Sequence, residues 1–145
     1  MLSTTSEYAI RALANLASLK AGEAILGRDL AIVSDIPSNY LAKILGILNK
    51  SGFVEASRGP GGGYRLKRPA DQITLMKVID VFESNAELNT CFFNHSNPCS
   101  EDHPCVAHSS WLAVHEAYLH FIQSTTIDMI ANYPKTENIP SKNGS

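Results

Sequence analysis

The residues best equipped for chemistry lie between Cys91 and His108. The stretch reads Cys-Phe-Phe-Asn-His-Ser-Asn-Pro-Cys-Ser-Glu-Asp-His-Pro-Cys-Val-Ala-His and holds all three cysteines and three of the five histidines. Seven residues separate Cys91 from Cys99, five separate Cys99 from Cys105, and two separate Cys105 from His108. Asn, Pro, Ser and acidic residues fill the gaps, so loop is expected over most of the stretch. Soft ligands at such intervals can wrap one metal centre, and thiolates favour iron–sulfur clusters, zinc and copper(I). Three Cys and one His suit zinc in number and softness, although the Cys-x-x-Cys pairs usual in fold-stabilising zinc sites are missing. An iron–sulfur cluster tolerates wider, loop-borne spacing. Free structural or redox thiols are the third possibility, and spacing alone leaves all three open.

Three cysteines leave one coordination position to fill. On a helix starting at Pro104, His108 stands one turn after Cys105, so both can point the same way. Glu7 is the other candidate, a carboxylate on the first helix that could reach across a dimer. It also fits a capping box with Thr4. His95 and His103 are weaker loop candidates, and His115 and His120 suit the surface or packing of the following helix.

The elements that must hold these residues fit within 145 residues, 44% of them hydrophobic, which suits one domain or one small domain with an extension. No run of 18 or more apolar residues predicts a transmembrane helix. The start, Met-Leu-Ser-Thr-Thr-Ser-Glu, has neither the basic head nor the apolar centre of a signal peptide. A cytoplasmic location with reduced thiols is therefore expected. The odd cysteine count also argues against a disulfide framework. The net charge of −2 hides an asymmetry. Residues 1–68 carry 9 Lys and Arg against 5 Asp and Glu, a net of +4, while residues 69–145 carry 3 against 9, a net of −6. A basic front half can face nucleic acid.

Helical periodicity runs from Thr4 to about Lys20, with Ala9, Ala12, Leu13 and Leu16 on one face and Tyr8 and Leu19 extending it. A short helix from Arg28 to Ser34 carries Leu30, Ala31 and Val33. Asp35-Ile36-Pro37 is a tight turn, after which Ser38 caps a third helix, Asn39 to Lys50, with Leu41, Ile44, Leu45 and Leu48 inward. Two short helices joined in this way form a helix-turn-helix. Phe53–Ala56 and Tyr64–Lys67 read as strands joined by Arg58-Gly59-Pro60-Gly61-Gly62-Gly63, a hairpin that serves as a wing. A fourth helix spans about Leu75 to Glu83, with Val78, Ile79 and Phe82 as its stripe.

From Pro104, which suits a first helical turn, to about Ala131 the pattern predicts one helix of roughly 40 Å. Trp111, Val114, Tyr118, Phe121 and Thr125 form one stripe on it, and Leu112, Leu119 and Ile122 a second. That is more apolar helix than one small domain needs, so it reads as a dimerisation helix. The fold class is mainly α with a small β-hairpin wing: a winged helix-turn-helix plus a long C-terminal dimerisation helix. It divides into a DNA-binding part at 1–70, a cysteine loop with dimerisation helices at 71–133, and a polar tail at 134–145 expected to be disordered.

On this reading Ser38, Asn39, Tyr40 and Lys43, at the start of the third helix and away from its leucines, enter a major groove. Ser and Asn suit base edges, Tyr a phosphate or thymine methyl, and Lys adds charge. Arg58 at the hairpin, backed by glycines such as Gly61 and Gly62 and followed by Tyr64, suits a minor groove. The glycine-rich turn lacks the Lys-Ser/Thr ending of a P-loop and a helix directly after it, which argues against nucleotide binding. No nucleophile with a nearby base and no substrate-binding motif is present, which argues against an enzyme.

With these residues together, the chain resembles the IscR/NsrR-type (Rrf-two) family of bacterial winged-helix regulators from Leu2 to about Ala131. The most specific pieces are Arg58-Gly59-Pro60-Gly61-Gly62-Gly63-Tyr64, Tyr8-Ala9-Ile10-Arg11-Ala12-Leu13 and the three-cysteine loop. The resemblance implies a homodimer on palindromic promoter DNA and an iron–sulfur cluster, 2Fe–2S or 4Fe–4S, sensing iron, redox state or nitric oxide. It implies Cys91, Cys99 and Cys105 as ligands, with His108 fourth in IscR-like members and Glu7 in NsrR-like ones. It assigns base reading to Asn39 and Lys43, with Arg58 in the wing. The seven-residue gap after Cys91 departs from the five of IscR and NsrR and looks more like RirA-type members. A winged-helix regulator with structural zinc or free redox thiols is the alternative.

Overall fold

A computed structural model describes residues 2–83 and 99–133 of the chain. Cys91, His95 and the tail at 134–145 lie outside the described residues. The elements are α1 (Thr4–Ala17), α2 (Gly27–Ser34), α3 (Ser38–Lys50), β1 (Val54–Ser57), β2 (Gly63–Leu66), a 3-10 turn (Ala70–Gln72), α4 (Leu75–Phe82), α5 (His108–Ser124) and α6 (Ile127–Ala131).

α1 forms on the expected face, burying Ala9, Ala12, Leu13 and Leu16. Its cap differs from the expected Thr4–Glu7 box. Ser3 is the N-cap and accepts the Ser6 N–H at 3.1 Å, and the Glu7 carboxylate turns away to Arg11. The helix stops at Ala17, short of Lys20, where the Ser18 N–H tightens onto the Asn15 carbonyl at 3.2 Å.

α2 ends in a Schellman motif. The Ile36 N–H reaches the Ala31 carbonyl at 3.0 Å and the Asp35 N–H the Ile32 carbonyl at 3.2 Å. This closure needs a left-handed residue, and Asp35 supplies it at φ 53°. Val33, named with Leu30 and Ala31 in the sequence, is 59% exposed. The buried row of α2 is Leu30, Ala31 and Ser34, and Val33 falls to its side. α3 starts one residue earlier than expected. Pro37 is its N-cap, so Ser38 lies inside the first turn and does not cap it. Leu41, Ile44, Leu45 and Leu48 are buried as read.

β1 and β2 pair antiparallel with Val54 opposite Leu66 and Ser57 opposite Gly63. A short bridge adds Ile25 to the sheet: its N–H donates to the Tyr64 carbonyl at 3.0 Å and its carbonyl accepts the Tyr64 N–H at 2.7 Å. Gly63, at φ 137°, lies so close to the Ile25 carbonyl that a Cβ would collide with it. The glycine therefore lets the wing dock against the start of α2.

The C-terminal helix is the largest departure. The segment from Pro104 to Ala107 is not helical, and α5 runs only from His108 to Ser124, roughly 25 Å. The chain then extends through Thr125 and Thr126 to pair with the strand-like residues before α4. The Leu75 N–H donates to the Thr125 carbonyl at 3.0 Å and the Ile127 N–H to the Ile73 carbonyl at 2.8 Å. Those cross-chain bonds replace helical ones, and α6 resumes beyond them. One hydrophobic cluster joins α1, α3 and α4 with Ile122 of α5 and Ile127 of α6.

Candidate DNA-binding surface and cysteine site

Ser38, Asn39, Tyr40 and Lys43 all lie on the outer face of α3 and are exposed. The helix periodicity that buries the leucine row turns these side chains out. Tyr40 is braced: its ring meets Tyr8 of α1 edge-on, with centroids 6.0 Å apart and planes at 86°. The Arg11 guanidinium sits 5.4 Å over the Tyr8 ring. Arg11 also donates to the carbonyls of Ser34 and Asp35, at 3.2 Å each, and pairs with Glu7 one turn earlier. Asn15 adds a bond to the Ser34 hydroxyl at 3.0 Å. These contacts hold the end of α2 and the turn to one face of α1, which sets the angle of α3. Tyr8 and Arg11 were absent from the site read in the sequence. The Glu7–Arg11 spacing of four residues on one helix was the available signal.

Arg58 opens the wing turn and is exposed, as is Gly61. A Cβ on Gly62 would lie 2.6 Å from the Ser57 carbonyl, so the turn closes only around glycine. Tyr64 lies in β2, half-buried, with its ring edge 3.4 Å from where a Gly27 side chain would begin. It fixes the base of the wing to α2. Across the hairpin, Arg65 Nε donates to Glu55 Oε1 at 2.6 Å.

The structure brings Cys99 and His108 together. Cys99 Sγ lies 3.0 Å from His108 Nδ1, and the Cys105 N–H donates to the same sulfur at 3.1 Å. His108 opens α5, its own N–H bonded to the Cys105 carbonyl at 3.1 Å. Cys105 therefore precedes the helix, where the sequence placed it within the first turn. His108 Nε2 is buried without a hydrogen-bond partner. His103 offers its carbonyl to Cys99 Sγ at 3.8 Å and keeps its ring exposed. His115 lies beside Trp111, ring centroids 6.1 Å apart, and His120 is exposed. Glu7 is engaged with Arg11. Among the described residues no three His, Cys, Asp or Glu side chains stand close enough to hold a metal ion, and Cys91 is not among them.

This architecture is shared with regulators already known. The HTH-type transcriptional regulator NsrR of Geobacillus kaustophilus is 35% identical over 127 residues, covering 87% of this chain and 86% of the relative. The structure of CymR, the global cysteine regulator of B. subtilis, superposes with a TM-score of 0.76 at 24% identity, over 92% of this chain and 97% of the other. IscR from T. potens matches with a TM-score of 0.68 at 26% identity, over 90% of this chain and 85% of the other. At its identity CymR attests the fold alone. Among the described residues no helix is long and apolar enough to cross a membrane. Residues 2–133 match the family described as Rrf2, iron-dependent transcriptional regulators, and with its helix-turn-helix, wing and cysteine segment the chain belongs to that family.

Proposed function

We propose that this regulator works as a homodimer on promoter DNA and reads iron, redox state or nitric oxide through an iron–sulfur cluster held by Cys91, Cys99, Cys105 and His108. The convergence of Cys99 Sγ and His108 Nδ1 at 3.0 Å carries the reading, because it sets a thiol and an imidazole from nine residues apart at one point. The donor set fits: thiolates and imidazole suit iron–sulfur ligation, and His108 Nε2 is buried with no hydrogen-bond partner engaging it. Glu7 is the weaker fourth ligand, because its carboxylate already neutralises the arginine that holds the helix-turn-helix. When bound, the cluster supplies a redox-active centre.

On DNA, Ser38, Asn39, Tyr40 and Lys43 meet base edges and phosphates of the major groove. Arg58 enters the minor groove, with Gly61 and Gly62 allowing close approach and Tyr64 keeping the hairpin in place. The exposed Val114 and Phe121, two turns apart on one side of α5, supply the apolar face for a second copy. That copy sets the second recognition helix about one DNA turn away.

Iron and sulfide analysis with a visible spectrum of anaerobically purified protein tests the cluster. A colourless protein containing zinc, or no metal, overturns it. His108→Ala is expected to bleach the spectrum or shorten cluster lifetime, and Glu7→Ala to leave both near wild type. The reverse result moves the fourth ligand to Glu7.

A further inference from the structure

The start of α1 is capped from 80 residues away. Ser3 accepts the Ser6 N–H, which is one half of a capping box. The other half calls for Glu or Gln at the third helical position, returning to the N–H of the cap residue. That position here is Ser6, whose hydroxyl instead meets the Ser3 hydroxyl at 3.2 Å. Glu83, just past the end of α4, takes the part of the missing residue: its Oε1 accepts the Ser3 N–H at 2.9 Å.

Glu83 is only 8% exposed. Burial by itself would raise its carboxyl pKa. The Ser6 hydroxyl beside it and the hydrogen-bonded Ser3 N–H outweigh burial and hold it below the ordinary carboxylate value. Tyr118 of α5 faces the same point. Its hydroxyl is buried without a hydrogen-bond partner, and burial, then the Glu83 charge, push its pKa up. One carboxylate thus ties the start of α1 to the end of α4, and Tyr118 of α5 stands near enough to feel its charge without bonding to it.

We infer that Glu83 is a positioning residue that couples the cysteine segment to the recognition helix by holding the start of α1. The signal it carries rests on the cluster reading above; the contact itself does not. A glutamate at position 6 would cap α1 locally without a long-range buried carboxylate, which is costly to desolvate. A cap borrowed from α4 makes the order of α1 depend on where α4 ends. Glu83 stands eight residues before Cys91 in the sequence, and Tyr118 is on the helix that His108 opens. Further along α1, Arg11 holds the Ser34 and Asp35 carbonyls and Tyr8 meets Tyr40. A displacement of α4 therefore reaches α3 through one helix.

The test uses the full chain as wild type, Glu83→Ala and Glu83→Gln; glutamine keeps an acceptor for the Ser3 N–H. The first measurement is amide exchange of metal-free protein. The second is affinity for a duplex selected by the wild-type chain from a random pool, with and without reconstituted cluster. In Glu83→Ala, exchange at the Ser6 and Glu7 amides should rise about fivefold, as expected for loss of a cap, while α3 core amides keep their rates. The ratio of cluster-loaded to cluster-free affinity should collapse to within about twofold of unity, at unchanged cluster content. Glu83→Gln should retain most of the wild-type ratio. If Glu83→Ala does not fold, Glu83→Met keeps the buried volume while removing the acceptor for the Ser3 N–H, and leaves the Ser3 cap itself in place. Unaltered exchange, or a wild-type affinity ratio in the alanine variant, overturns the coupling. If the wild type binds no iron, the cluster reading fails by itself. Metal-free Glu83→Ala must then show both faster α1 exchange and weaker duplex binding, and unaltered binding overturns the inference.

Discussion

α3 and α5 are both amphipathic helices, yet they end in opposite conditions. α3 buries four of its apolar residues and turns Ser38, Asn39 and Lys43 outward. α5 is the longer, with 17 residues, and buries only Ile122. Leu112, Val114 and Phe121 of α5 remain exposed. The first helix is completed inside its own chain, so its outer face is free for a polar ligand such as DNA. The second presents apolar residues that the described residues leave uncovered, and in the proposed dimer a second copy covers them.

The contrast breaks hardest at Leu45, which is 1% exposed on α3. Leu45→Ala should lower unfolding free energy by about 2–5 kcal/mol, the usual cost of such a cavity, as read by urea titration. Retention of wild-type stability would mean that α3 is not completed within the chain. On α5, Phe121→Glu should leave monomer folding intact and weaken self-association by at least about 2 kcal/mol, the scale of an interface hot spot. Light scattering at micromolar concentration checks it, and a wild-type dimer mass in the variant would free this face of its assigned role. Arg58→Ala sharpens the comparison from outside both helices. It should weaken specific DNA binding by about 1–3 kcal/mol while leaving melting temperature and dimer mass unchanged, and equal affinity for a cognate duplex removes Arg58 from the interface. The smallest effect belongs to the turn before α3. Asp35→Gly relieves a non-glycine residue at φ 53° and should raise stability by up to about 1 kcal/mol. Thermal unfolding reads it, and a loss of stability would show that the Asp35 side chain holds the turn.

Leu41, Ile44, Leu45 and Leu48 declare the inner face of α3, and the glycines from Gly59 to Gly63 declare a turn closed to other residues. Such signals are local: a helix repeats every 3.6 residues and a tight turn demands positive φ, whatever lies beyond. Sequence alone therefore determined the helix-turn-helix, the wing and the outward polar residues of α3. Val33 was not separable from Leu30 and Ala31 in the sequence because a short helix admits more than one apolar face, and only its packing on α1 selects Leu30 and Ala31. The single long helix read from Pro104 onward became α5 and α6, because the Thr125 carbonyl accepts from Leu75 and the Ile127 N–H donates to Ile73, some fifty residues earlier. Glu7 left its expected cap for Arg11, and Glu83 took that position from the far end of α4. Cys99 met His108 because the chain between them turns without helix before α5 begins. Each of these outcomes is a choice among partners far apart in the chain. Periodicity cannot rank such partners, and only packing, which fixes the distances between them, decides.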